Sequence, residues 1–225
     1  MKSLLYKEFK LAMHPLIYIF VFVFPLMALI PNYPIVISFI YVCSCYPILF
    51  LGANKGQQSN DIYFSCLLPV RRKDIVKVRL FLLSIIQLIS IVLVTIYGAI
   101  GSLYKEDILI EAGDKISDVG FGFGQIGSVI GFVLLCFSIY DLIFVTCFYK
   151  SGRAIVSSTL LGMLGFMILL CITTLLLPIS ITSYFNFFSN LYVQIASILI
   201  GLAIYILFHY LTYIRASNLF EKVDF

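Results

Sequence analysis

Six stretches of the chain are almost purely apolar, and short polar segments separate them: residues 16–30, 35–53, 80–103, 126–148, 154–177 and 191–214. A helix that crosses a bilayer needs about 20 residues, within a range of about 17 to 25. Five of the stretches meet that length outright. The first is shorter, contains Pro25, and reaches full length only when residues 13–31 are counted. Two arrangements suit it, a full span or one arm of a re-entrant hairpin with the second stretch, and both return the chain to its starting face. Ahead of it, "KSLLYKEFKLAMHP" places Leu4, Leu5, Phe9, Leu11, Ala12 and Met13 on one broad helical face and Ser3, Lys7 and Lys10 on the other, with Glu8 inside the apolar arc. Pro15 ends or kinks that helix. Residues 1–14 are therefore expected to form an interfacial elbow helix, its lysines reaching lipid phosphates. No small-residue cleavage site follows the first apolar stretch, so the segment reads as retained rather than as a signal peptide.

Composition turns this pattern into a class. The chain is 62% hydrophobic and 12% charged, with a mean hydropathy of +1.08. Ordinary soluble domains are about 25% charged, and a core of this size cannot hide so much apolar surface from water. The expected fold is all-α: a polytopic membrane protein with six transmembrane helices, the elbow helix, and one transmembrane domain over residues 1–225. Nucleic-acid binding is excluded as a class, because the basic residues flank apolar stretches and leave no soluble domain to carry a groove.

Charge then sets the orientation. With the N-terminus inside, the inner segments hold 13 Lys and Arg residues and the outer loops hold 2, Lys105 and Lys115. The positive-inside rule puts both termini in the cytoplasm. The outer loop at residues 104–124 is acidic instead, with Glu106, Asp107, Glu111, Asp114 and Asp118. Tyr33, Tyr104, Tyr149, Tyr184, Tyr192 and Tyr210 fall near the expected span ends, where a phenol can bury its ring and keep its hydroxyl wet.

Little in the spans suggests bond chemistry. Five of six cysteines lie in apolar stretches, and Cys43 and Cys45 would face nearly opposite ways on a helix, so neither a disulfide scaffold nor a metal site is expected. Gly122, Gly124 and Gly127 carry the letters of a dinucleotide fingerprint but lack its strand–turn–helix context. Gly120 with Gly124, and Gly127 with Gly131, read instead as small-xxx-small pairs that let helices approach. His14 and His209 stand in no metal-ligand spacing, and His209 is expected to be interfacial packing. Asp141 is the single acidic residue within a span. It is expected in an ion pair with Lys150, Arg153 or a basic residue of another helix, with a part in a cargo or conformational gate as the rival expectation. Gln87, Thr95, Gln125, Thr146, Thr173, Thr174 and Gln194 are the polar side chains that a path for amphipathic cargo would use.

The inner loop at residues 54–79 departs most from simple anchoring. Arg71, Arg72, Lys73, Lys77 and Arg79 suit the positive-inside rule, but Asp74 does not. Nor does that rule need the apolar group Ile62, Tyr63, Phe64, Leu67 and Leu68, which has to be covered by membrane, protein or partner. Asp61 ends a capping run "SND", Pro69 breaks the helix that follows, and a second helix can start near Val70 and run into the third span.

"LLPVRRKDIVKVR" resembles the inner-loop signature of bacterial ABC type-2 transporter permeases. Leu68, Pro69, Val70, Arg72, Asp74, Ile75, Val76 and Lys77 match in kind, while Arg71 stands where that signature has a Ser-like residue. The layout is also similar to small Gram-positive permeases that export amphipathic peptides such as phenol-soluble modulins. The resemblance implies a permease half that pairs with a second permease subunit, powered by cytosolic ATPase subunits. ATP and Mg would sit on those partners, since "LGANKGQ" and "KSGRA" supply no phosphate-binding loop. It further implies a coupling helix in the 54–79 loop, with ATPase contact on Asp61 through Asp74: Ile62, Tyr63, Phe64, Leu67, Leu68, Pro69, Val70, Arg71, Arg72 and Lys73 among them. The implied cargo is an amphipathic peptide or lipophilic compound moved outward. The rival expectation is a non-transport scaffold or sensor that recruits a cytosolic partner through the same loop. Intramembrane catalysis is disfavoured, because no nucleophile–base spacing occurs in the spans.

Overall fold

The computed structural model describes residues 2–7, 15–29, 39, 70–112, 126–147 and 190–222. Among these every regular element is helical. α1 spans Lys2–Lys7 and α2 spans Pro15–Val23, and a 3₁₀ turn follows at Pro25–Leu29. Three long helices then dominate: α3 at Arg72–Ala112, α4 at Ile126–Cys147 and α5 at Leu191–Glu221. These three are long and apolar enough to cross a membrane.

Each boundary has a local cause. Pro25 lacks an N–H and crowds the residue before it, so α2 stops at Val23 and the chain tightens into 3₁₀ geometry. The break is lined by Phe20 and Phe24, which meet edge-on with centroids 5.5 Å apart. α3 begins at Arg72, three positions after Pro69 in the sequence, with Asp74 in its first turn at the positive helix end. α5 is capped by Asn190, whose side chain accepts from the Tyr192 N–H at 3.1 Å.

α3 is the axis of the fold. Its 41 residues reach about 60 Å at 1.5 Å per residue, twice the ~30 Å of a bilayer core. It therefore projects beyond the bilayer, and its last residues enter the expected outer loop: residues 104–112 are helical. Phe81, Leu88, Val92 and Ile96 form an exposed stripe suited to lipid. Opposite them Leu83, Ile86, Gln87, Ser90 and Val94 are buried. At the far end Gly101 lets α3 meet the 3₁₀ turn, where an added Cβ would lie 3.0 Å from the Ala28 carbonyl oxygen. The first apolar stretch thus extends to the depth of Gly101.

Within the segment expected to form the elbow helix, residues 1–14, a helix covers Lys2–Lys7, and residues 8–14 lie outside the described residues. Leu4 is buried, as its apolar position predicts. Lys7, expected on the watery face, is buried too. Arg79, expected as a cytoplasmic anchor, is 1% exposed.

α4 and α5 pack along most of their lengths and run parallel: Gly127 meets Gln194, and Gly131 meets Ser197 and Gly201. A single span between residues 148 and 190 would produce that direction, and those residues lie outside the described ones. α3 is antiparallel to both, with Gln87 against Asp141 and Tyr205.

Candidate functional site

The seam of α4 is a heptad. Gly127, Gly131, Leu134, Ser138, Asp141 and Val145 recur in alternating steps of four and three residues and are all buried. At its outer end backbones touch. A Cβ on Gly131 would stand 2.5 Å from the Ser197 carbonyl oxygen, and one on Gly201 would stand 2.7 Å from the Gly131 oxygen. Two interhelical hydrogen bonds close this end, from Gly127 N–H to Gln194 Oε1 and from Ser197 Oγ to the Gly127 carbonyl, each 3.2 Å.

Further in, the same seam delivers Asp141 to a polar junction of three helices. Gln87 Nε2 of α3 donates to Asp141 Oδ1 at 2.7 Å, and the Tyr205 hydroxyl of α5 donates to Gln87 Oε1. His209, one turn beyond Tyr205, places Nε2 3.5 Å from Asp141 Oδ2 and 2.7 Å from Ser84 Oγ. The Ser84 hydroxyl itself donates to the Leu80 carbonyl. The Tyr205 and His209 rings lie 4.2 Å apart, which fixes the imidazole plane. Asp141 and Gln87 are both fully buried.

The depths agree. Asp141 lies nine residues before Lys150, about 14 Å along a helix. Gln87 lies eight residues past Arg79, about 12 Å. The junction therefore sits in the inner half of the spans. Around it, Tyr140 stacks on Phe144 at 5.7 Å, and Phe39 of the second apolar stretch meets Phe137 edge-on at 6.1 Å. This apolar jacket keeps the junction dry.

A clamp closes the inner ends of α3 and α5. Arg72 Nη1 donates to the Glu221 carbonyl at 3.1 Å, and Lys73 Nζ lies 3.3 Å from Glu221 Oε1. Two cations at the negative end of α5 complement its dipole. Lys73 and Glu221 are each 45% exposed, so replacing Arg72 and Lys73 with alanine should lower stability by less than about 1 kcal/mol. Thermal unfolding at low and high salt checks this, and the difference should vanish at high salt.

The expected ion pair of Asp141 with Lys or Arg does not occur among the described residues. Asp141 takes Gln87 and His209 instead, while Lys150 and Arg153 lie outside that set. His209, expected as interfacial packing, is part of the junction. One signal for it was legible: Asp141 and His209 are the sole Asp, Glu, Lys, Arg or His residues in the six apolar stretches. Thr95 and Thr146, expected along a cargo path, donate to carbonyls of their own helices, at 2.7 Å in each case. Gln194 serves the α4–α5 contact.

Of the expected coupling residues, Val70 is half-buried, Arg71 and Lys73 are exposed, and Arg72 and Asp74 are half-buried. Asp61, Ile62, Tyr63, Phe64, Leu67, Leu68 and Pro69 lie outside the described residues, as do Gly120 and Gly124. Arg72 and Lys73 are engaged with Glu221, a role that the loop's sequence did not announce.

No curated protein and no solved structure matches the chain. A family model described as "ABC-2 family transporter protein" matches residues 3–216. That match runs from the start of α1 into the last turns of α5, so it takes in the seam, the junction and the whole inner loop. The chain belongs to the ABC-2 family of transporter proteins: it is a permease, the integral membrane component of an ABC transporter.

Proposed function

We propose that this permease is half of an exporter for amphipathic peptides or other lipophilic compounds, driven by cytosolic ATPase subunits that grip the loop at residues 54–79. A second permease subunit completes the pathway, and both termini face the cytoplasm of a bacterial cell. The observation that carries the proposal is the continuity of α3. One unbroken helix starts three residues after Pro69 and runs through the apolar span to Ala112. A rigid element that leaves the loop and crosses the membrane is the lever such coupling needs. The clamp to Glu221 ties the end of α5 to the same lever. An apolar docking segment with basic residues at its rim fits helix-in-groove recognition by a protein partner.

The test separates docking from folding. Phe64→Ala with Leu67→Ala removes apolar anchors and leaves Arg72, Lys73 and Glu221 untouched. The doubly substituted chain should insert and purify normally but retain less than about a tenth of the co-purifying ATPase, the loss expected when two anchors worth over 1 kcal/mol each are truncated. Full retention of the ATPase, with normal stimulated hydrolysis, would rule out docking at this segment. Reversing Arg72 and Asp74 is a poorer test, because Arg72 also holds α5.

A further inference from the structure

We propose that Asp141 is the residue with which this permease recognises a positively charged head group, an ammonium or guanidinium, on an amphiphilic cargo that enters from the inner leaflet. The inference rests on the transport function proposed above and names its substrate class.

The first ground is chemical. A carboxylate buried in a membrane span is costly and has to earn its place through a partner. Asp141 Oδ1 is satisfied by Gln87, but the carbonyl of an asparagine would accept that hydrogen bond equally well. What the carboxylate adds is Oδ2, which is buried and accepts no hydrogen bond among the described residues. His209 Nε2 stands 3.5 Å away, at the limit of hydrogen-bond reach, and lies closer to Ser84 Oγ, at 2.7 Å. No Lys or Arg reaches Asp141 among the described residues. The sequence adds none within the spans, since Asp141 and His209 are the sole Asp, Glu, Lys, Arg or His residues in all six apolar stretches. Arg79 lies two turns inward on α3, beyond Leu83. The junction thus holds an oxygen made for a cation and provides no permanent one.

The second ground is access. Asp141 is fully buried, whereas the His209 side chain is 16% exposed. The imidazole therefore stands between the carboxylate and the outer surface of the bundle. It is held there by one hydrogen bond to Ser84 and by the Tyr205 ring. In the proposed binding step the His209 side chain swings aside and uncovers Oδ2. The flanking surface of α5 is apolar, with Ile206, Leu207, Tyr210 and Leu211 exposed. An acyl chain or apolar peptide face can lie there while its charged head replaces the imidazole.

The experiment uses the full chain in zwitterionic nanodiscs. Three fluorescent probes share one alkyl chain and differ in their heads: trimethylammonium, neutral amide and carboxylate. Anisotropy is read against empty nanodiscs. The wild-type chain should bind the ammonium probe about tenfold or more tightly than the neutral probe, the discrimination expected of one buried charge pair. Asp141→Asn should bring the two within about twofold and leave neutral-probe binding unchanged, because that pair alone sets the difference. Asp141→Glu should restore most of the preference, which a purely structural role would not do. Should Asp141→Asn fail to fold, Ser84→Ala serves instead: it loosens His209, and it should tighten ammonium binding specifically. A wild-type chain without head-group preference overturns the proposal. So does a preference that survives Asp141→Asn, or a variant that alters only the pH profile of stability, which would make the pair a proton latch. Stimulation of the co-purified ATPase by the same probes keeps the two proposals apart. Stimulation blind to head charge sinks the cation site alone, whereas charge-selective binding with no ATPase response sinks the exporter role alone.

Discussion

Replacing Gly131 with alanine is expected to destabilise the chain by about 2–3 kcal/mol, the upper range for overpacking, because no atom in the contact can yield. The added carbon would stand 2.5 Å from the Ser197 oxygen and 2.8 Å from the Ser197 carbonyl carbon, both backbone atoms of α5. Relief requires α4 and α5 to separate, which also breaks the bonds of Gln194 and Ser197 to Gly127. Gly201→Ala meets the Gly131 backbone from the other side and should cost a similar amount. The two share one contact, so the double variant should cost less than their sum. Gly127→Ala is the milder comparison. Its new carbon would stand 2.7 Å from Gln194 Cβ, which moves only with α5, but its nearest neighbours are side-chain rather than backbone atoms, and alanine regains up to about 1 kcal/mol of helix propensity. Thermal unfolding in detergent, read by monodispersity after heating, ranks the three. An unchanged midpoint for Gly131→Ala would show that the close seam does not hold the helices together.

The second large effect is expected at Gln87. This one side chain satisfies Asp141 through its amide nitrogen and Tyr205 through its amide oxygen. Gln87→Leu therefore strands two buried polar groups at once. Interhelical hydrogen bonds within membranes average only about 0.6 kcal/mol, which taken alone predicts little. Stranding is different, since a buried group left without a partner costs about 1–3 kcal/mol, and more when it is charged. The expected loss is about 3 kcal/mol. Stability should return when the orphans are removed as well, through Asp141→Leu with Tyr205→Phe in the Gln87→Leu background, because an apolar core needs no donors. Unfolding midpoints of the single and triple variants test this. A triple variant less stable than the single would mean that the polar network stabilises by more than mutual satisfaction.

These two sites differ in how far they could be read from the chain. Gly127 and Gly131 carry their spacing on the surface of the sequence, because a helix period puts residues four apart on one face. The stripe continues through Leu134 and Ser138 to Asp141, so the seam that joins glycine contact and carboxylate is periodic and local. Their partners are not. Gln87, Tyr205 and His209 lie 54 to 125 positions from the groups they meet, and no local period reports which helices are neighbours. The same holds for Glu221, which lies 149 positions from Arg72. Arg72 read naturally as an anchor or a docking residue, because basic residues at a span end serve both, and the clamp became visible only with α5 in place.

The sequence by itself determined the membrane class, the helical class and the transporter family, together with local helix breaks such as that at Pro25. Those properties follow from transfer free energies that add residue by residue along the chain, and from backbone rules at Pro25, Pro69 and Asn190 that act within a turn. The tertiary structure decided that α3 is one lever of 41 residues, that α4 and α5 run parallel at backbone contact, and that Asp141 meets an amide and an imidazole rather than a lysine. Lipid is as apolar as the helix faces, so hydrophobicity cannot choose between neighbours inside a membrane. The choice falls to close packing of small residues and to satisfaction of the few buried polar groups, and both depend on several helices at once.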